Sequence, residues 1–513
     1  MEALEGYSTT FLIGCSLVLF AIGHRIYKVF YDLYLHPLAG IPGPKLAAIT
    51  YLYQTYYSLF VGGSRFYIQV GKLHEKYGPV VRITPDEVHL SDPDNYDSIY
   101  YIGSRYAKAE PYYSSMSCGY SGFTTMSNEE HRIKRARLNP FFSKKKVISY
   151  EDMVQSNAKK LCDLVAKKFE AGQAMDLHHG YRAVSVDVIT DIAFNQCYNL
   201  LDREDIGEEF FTLFEKIGST MWVFQQWPLV MKLSNSLPPK YAGKMNESLA
   251  QVFRIQQHCS DKIAGVKADI AAGNKSAARQ TIFHDLLTPD PEQGWVVPPD
   301  EHLRDEAFAI LGAAADTTGN AMNFATIEVT NDPVMYKRLC AELREAFPDP
   351  NTKLDYLTLE KLPFLTGVIK EAIRLSFGSP GKLTRVVPEG GATFNNHFLP
   401  AGSFVSMGTW ELHHNEEYFP NATKFDPDRW ADPANVKHME KAYVPFGRGS
   451  RMCVGINLAY AELYVVLGQM FRRFDNMKPN ELRPEDRIYN DYISARVPLT
   501  ATRFHVSAGE KVG

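Results

Sequence analysis

The residues best placed to do chemistry lie in FGRGSRMCVG, residues 446 to 455, where one cysteine stands among glycines and arginines. A thiolate is a strong ligand for a soft metal, but it needs help to stay deprotonated and ligated. Here the help has three sources. Backbone N–H groups of a glycine-rich turn donate to sulfur, and the glycines at 447, 449 and 455 let a flat group lie against the backbone. Arg451 stands two residues before Cys453, within reach of an anionic substituent on such a group. A helix predicted just after the cysteine, VGINLAYAELYVVLGQMFRRF, aims its positive end at the thiolate. The other cysteines, at 15, 118, 162, 197, 259 and 340, form no CxxC and no Cys/His cluster of zinc spacing. They read as reduced thiols, most of them buried.

These requirements together describe a haem: planar, apolar, iron-centred, with two carboxylates. Phe446, Gly449, Arg451, Cys453 and Gly455 resemble the haem-binding loop of the cytochrome P450 monooxygenases, and Leu458, Ala459 and Glu462 continue the likeness. EAIR puts Glu371 and Arg374 on one helix face, three residues apart. FDPDRW places Arg429 between that helix and the cysteine loop. In the family such residues form a network that holds the loop, so the resemblance makes Glu371, Arg374 and Arg429 structural. LGAAADTTGNAM, residues 311 to 322, resembles the long helix over the haem. Its small residues let the helix approach something bulky, and its acid and alcohol, Asp316 and Thr317, would relay protons for O–O cleavage. Ala314 stands where the family more often has glycine, and a threonine here can also bond back to its own helix. HRIKR places His131 and Arg135 on one helix face, matching a pattern that more often begins with Trp. With Arg385 of GKLTRVV and with Arg451, they would pair the haem carboxylates.

The resemblance implies haem b with Cys453 as axial ligand to iron. It implies a reaction that consumes O2 and two electrons and puts one oxygen atom into a hydrophobic small molecule. No flavin or nucleotide domain is evident in 513 residues, so electrons are expected from a separate NADPH-cytochrome reductase. The basic stretch HRIKRARLNPFFSKKK, residues 131 to 146, is a candidate docking face. A functional monomer is expected. A haem-thiolate isomerase or dehydratase that needs no reductase is the rival, and Asp316–Thr317 argues against it.

The elements that must position these residues follow from the rest of the chain. Hydrophobic content of 45% and charged content of 22% are those of a globular protein with a large core. A net charge of −4 points to no nucleic-acid partner. YSTTFLIGCSLVLFAIG, residues 7 to 23, is uncharged, with Glu2 and Glu5 before it and Arg25 and Lys28 after. That asymmetry predicts a retained single-pass anchor over residues 1–35 with the body in the cytosol, and the resemblance implies the endoplasmic reticulum membrane. HPLAGIPGPK predicts a stiff, extended hinge over 36–45. Residues 46–513 then form the catalytic domain. Apolar residues at helical spacing dominate from about 128 to 345, and short strand-like runs flank them. The polar stretch 268–301 reads as a surface loop. The expected fold is mainly α with small β-sheets, the cytochrome P450 fold. LHPLAGIPGPKLAA and LSFGSPGKLTRVVPEGGATFNNHFLPAGSFVSM look like filamentous-fungal members of secondary metabolism, similar in style to trichodiene-oxygenase-like enzymes. A sesquiterpenoid substrate is therefore expected, with polyketide or alkaloid-derived scaffolds as alternatives.

Overall fold

A computed structural model of the chain describes residues 9–61, 63–236, 247–273 and 280–511; Glu2 and Glu5 lie outside them. Helix α1 (Thr9–Phe30) is apolar along its first turns and exposed on nearly every side, as expected of a helix solvated by lipid. Among the described residues it belongs to the one helical stretch long and apolar enough to cross a membrane. Within the proline-rich segment, residues 36–41 form tight turns against the body, and Pro44 is extended. His36 N–H donates to Tyr31 O at 2.7 Å, Ala39 N–H to His36 O at 2.8 Å, and Leu38 is fully buried. Buried Arg82 clamps the segment, donating through its side chain to Asp32 O at 2.8 Å and through its backbone to Pro42 O at 2.8 Å. Proline density limits φ but is as compatible with consecutive turns as with an extended spacer.

The body is helical with four small sheets. In chain order the long helices are α2 (Phe66–Tyr77), α3 (Asn128–Leu138), α4 (Glu151–Glu170), α5 (Leu177–Phe194), α6 (Glu208–Gln226), α7 (Glu247–Ala271), α8 (Asp300–Asn331), α9 (Pro333–Ala346), α10 (Pro363–Ser376) and α11 (Ile456–Arg473). The largest sheet joins β1 (Val80–Arg82), β2 (Glu87–Leu90), β4 (Arg385–Val386) and β7 (Phe404–Ser406) in the order β1-β2-β7-β4. The others pair β3 (Met175–Asp176) with β11 (His505–Ala508) and β8 (Met477–Pro479), β5 (Ala392–Phe394) with β6 (His397–Leu399), and β9 (Asn490–Tyr492) with β10 (Ser494–Arg496).

Helix α8 runs through the core, packed on α5, α10 and α7. Its small residues allow this: a Cβ at Gly319 would lie 2.8 Å from Arg182 Cγ of α5. Gly367 does the same for α10, where a Cβ would lie 2.4 Å from Pro427 O, so the turn Pro427–Trp430 seats directly on that helix. The stretch 268–301 is not one surface loop. Helix α7 extends to Ala271, and within Ile282–Leu286 the side chains of Ile282 and Phe283 are fully buried. TIFHDLL is an apolar island in a polar context, and burial follows the island.

Candidate active site

The cysteine loop is shaped by its glycines. Gly447 and Gly449 have φ of 64° and 73°, which glycine adopts freely. At Gly449 the backbone of Tyr101 comes so close that a Cβ would sit 2.5 Å from its carbonyl. Cys453 N–H donates to Phe446 O at 2.8 Å, which closes the loop, and α11 begins three residues after the cysteine. The thiol is open to space, yet surrounding protein atoms desolvate it and raise its pKa. The Gly455 N–H and the Arg135 guanidinium pull the other way. Arg135 itself donates to Met452 O at 2.8 Å and Asn139 Oδ1 at 2.6 Å, so it braces the loop at the residue before the cysteine.

Behind the loop, Glu371 and Arg374 are fully buried. Arg374 donates to both Glu371 oxygens at 2.7 and 2.9 Å. Arg429 Nε and the Asp426 N–H reach Oε1 at 2.9 and 3.1 Å, and Trp430 Nε1 reaches Oε2 at 3.0 Å. Arg374 also donates to His413 O and Ala422 O, both at 2.7 Å. His413, missed in the sequence, carries this network to the loop. Its Nδ1 bonds Arg374 O at 2.8 Å and its Nε2 accepts Val444 N–H at 3.1 Å, while Val444 O accepts Gly447 N–H at 3.0 Å. An accepting Nε2 requires the neutral ring, and burial accordingly lowers the pKa of His413 to about 3.

On another side of the site, basic groups gather without anions. His131, Arg385 and Lys108 are buried, and Arg451 is half-buried; none forms an ion pair among the described residues. Arg451 donates to Thr125 O, Met126 O, Ser127 O and Asn128 Oδ1 at 2.7 to 3.1 Å. Arg385 donates to Tyr113 Oη at 2.8 Å. Lys108 Nζ lies 4.0 and 4.3 Å from the ring centres of Phe123 and Tyr113, and its backbone bridges to that of Arg385. Burial, then Arg385 and Arg451, push the Lys108 pKa well down. Burial, then Arg451 and Lys108, lower His131 to about 3. Burial and Arg385 bring Arg451 to about 10. A carboxylate entering here would reverse each of these shifts, so the cluster fits a group with acidic substituents. Lys108 was not singled out in the sequence, because AKAEPYY carries no pattern; only its pairing with Arg385 reveals it.

On α8, Asp316 and Thr317 point to different places. Asp316 is buried, with Oδ1 2.7 Å from Arg182 Nη2 and Oδ2 3.2 Å from Arg496 Nε. Thr317 donates to Ala313 O at 2.9 Å, the back-bonded arrangement, and Ala313 is exposed in mid-helix. No hydrogen bond joins the acid to the alcohol among the described residues.

The family model for cytochrome P450 matches residues 48–500. The chain belongs to the cytochrome P450 family. Cytochrome P450 monooxygenase MO6277 of Ascocoryne sarcoides is 34% identical over 478 residues, 90% of this chain and 91% of that protein. N-acetyltryptophan 6-hydroxylase ivoC of Emericella nidulans is 32% identical over 484 residues, 93% of each chain. A crystal structure of a cytochrome P450 (CYP102L1) shares the fold, with a TM-score of 0.70 at 17% identity over 86% of this chain and 94% of that one. The protein is therefore a P450 monooxygenase, similar to fungal enzymes of secondary metabolism, and uses haem b, O2 and reductase-supplied electrons. For a P450 of this kind the basic stretch 131–146 is less available than its composition suggests. Arg137 is buried against Asp285 and Asp290, Lys134 pairs with Glu130, and Lys144 pairs with Glu360. Within the body Tyr112, Ser115, Met221, Trp222, Gln225 and Ile493 surround a narrow void with no room for a water molecule.

Proposed function

We propose that this P450 hydroxylates a C–H bond of a hydrophobic, aromatic-bearing small molecule, held in the space between Thr317 of α8 and Cys453. The observation that carries this reading is an exposed cysteine thiol beside a buried cluster of basic groups that meet no anion among the described residues. Cys453 would ligate the iron, and His131, Arg385, Arg451 and Lys108 would hold the two carboxylates. Arg135 positions the loop through Met452. Bound there, haem b with its thiolate ligand supplies O2 activation and O–O cleavage. Gly455 N–H keeps negative charge on Sγ. Thr317 Oγ1, released from Ala313 O, holds a proton donor over the site. Asp316, fixed between Arg182 and Arg496, holds negative charge one residue away from Thr317.

The N-acetyltryptophan hydroxylase among the relatives is in keeping with an aromatic scaffold, which buried Tyr112 and Trp222 would suit; a sesquiterpenoid draws no support from the relatives above. Electrons would come from an NADPH-cytochrome reductase, with exposed Lys145 among the docking residues. Helix α1 would anchor the enzyme in the endoplasmic reticulum membrane with the body in the cytosol. Exposed Leu52, Tyr56 and Phe60, tied to exposed Trp227 and Leu229 through the Thr55–Gln226 hydrogen bond of 2.7 Å, suit a surface dipping into lipid.

The test is spectroscopic and then catalytic. The carbon monoxide complex of the reduced holoenzyme should show a thiolate-type absorption that Cys453→Ser abolishes. A panel of aromatic amides, polyketides and sesquiterpenes is then titrated for a spin-state shift, and binders are turned over with reductase. Thr317→Ala should lower product per NADPH by at least about tenfold. A wild-type protein without the thiolate signature sinks the reading; a sesquiterpene as the only ligand sinks its aromatic part.

A further inference from the structure

A cavity of about 400 Å³ lies between the start of α2, helix α6 and the β9–β10 hairpin with its C-terminal extension. Its walls carry Arg65, Glu215, Asn490, Tyr492, Arg496 and Leu499. The charges at this place do not balance. Arg182 pairs with Glu215 at 2.9 Å and with Asp316 at 2.7 Å, and Arg496 pairs with Asp316 at 3.2 Å, so two cations and two anions close on each other. Arg65 is left over: among the described residues it meets no carboxylate.

Arg65 is nevertheless held in place. Its Nε donates to Asn490 Oδ1 at 3.2 Å and its Nη2 to Ile488 O at 3.1 Å, which leaves further donors of the five-donor guanidinium unspent. Gly63 permits this seating, with φ of 68° and room for a Cβ only 3.2 Å from the Asn490 amide oxygen. A guanidinium fixed by neutral partners in a concave, partly apolar wall is preorganised for a carboxylate, because binding costs little side-chain entropy. On this wall Tyr492 packs on Gly218 of α6, and the next residue, Ile493, lies beside Tyr112 and Trp222 in the interior.

We propose that this cavity is a substrate entrance, and that it selects organic acids by engaging their carboxylate at Arg65 while the apolar body lies along Tyr492 and Leu499. The substrate class is an amphipathic monocarboxylate of aryl-alkanoic size. This rests on the monooxygenase reading above and deepens it.

The experiment uses the full-length holoenzyme and four probes: 3-phenylpropionate, indole-3-propionate and the methyl ester of each. Binding is read by spin-state shift and by equilibrium dialysis. In the wild type at least one acid should bind at least tenfold more tightly than its ester. Arg65→Gln should erase that preference while leaving the ester's affinity and the thermal midpoint unchanged, and Arg65→Lys should keep part of it. If no acid binds more tightly than its ester in the wild type, or if Arg65→Gln keeps the preference, the proposal is overturned. If the wild type lacks the thiolate-type carbon monoxide spectrum, the monooxygenase reading fails first, and that outcome is distinct from a holoenzyme indifferent to carboxylates.

Discussion

Glu371 with its arginines and the Lys108–Arg385 cluster are both buried, charged and near the cysteine loop, yet they are built on opposite terms. Around Glu371 each charge is answered within the chain: its two oxygens accept from Arg374, Arg429, Trp430 and the Asp426 backbone. Around Lys108 the buried charges share one sign, and backbone carbonyls, a phenol and ring faces are the partners they find. A closed network is scaffold, since breaking it leaves charge stranded. An open one marks a ligand, since only an anion from outside relieves it.

The comparison breaks first if Glu371 can be neutralised cheaply. Glu371→Gln strands two buried guanidiniums and should cost about 3–5 kcal/mol of unfolding free energy. It should do so in haem-free and haem-loaded protein alike, as measured by chemical denaturation. A loss confined to the loaded form would mean that the network serves the cofactor rather than the chain.

Lys108→Met tests the other side, with a smaller effect and the opposite sign in the apo-protein. Removing one of several crowded cations should leave the unfolding midpoint of haem-free protein unchanged or raised. Haem transfer to apomyoglobin should accelerate about tenfold, the worth of one charge-assisted hydrogen bond. If haem release is unchanged, Lys108 belongs to the scaffold.

These two regions also differ in how far they were legible in the sequence. EAIR, FDPDRW and the cysteine loop are local patterns that resemble those of the family, and that resemblance brought Glu371, Arg374, Arg429 and Cys453 forward as a set. Lys108 lies far from Arg385 in the chain and meets it through one isolated β-bridge, a contact that no local pattern encodes. His413 was hidden for the same reason, as were Arg182 and Arg496 on Asp316. The basic run 131–146 misled in the other direction: composition cannot show that Arg137 turns inward to two aspartates. The helix after Cys453 was readable in the sequence and the long core helix through the family resemblance, whereas the turns of 36–41 are held by Arg82, which lies beyond that segment.

A third buried cluster sharpens the rule, because its imbalance is negative and sealed. Asp491 of β9 and Glu411 of the short helix Thr409–His413 are buried and form no ion pair among the described residues; Lys382, the cation beside them, is committed to Glu87. No ligand can reach sealed carboxyls, so a proton must do what an anion does for Lys108. Burial raises Asp491 to about 7, against the pull of the Ile493 N–H and Lys382, and raises Glu411 to about 8. The ordinary values are 3.8 and 4.5, so between about pH 4 and pH 7 the native state holds protons that the unfolded chain has released. Stability must therefore fall as pH rises through that window, by up to about 1.4 kcal/mol per pH unit for each group. Asp491→Asn removes one of the two contributions and should flatten the slope of unfolding free energy between pH 5 and 7 while leaving haem release unchanged. A slope that persists in the variant would place the compensating proton elsewhere, and sealed imbalance would then not be what distinguishes this cluster from the cationic one.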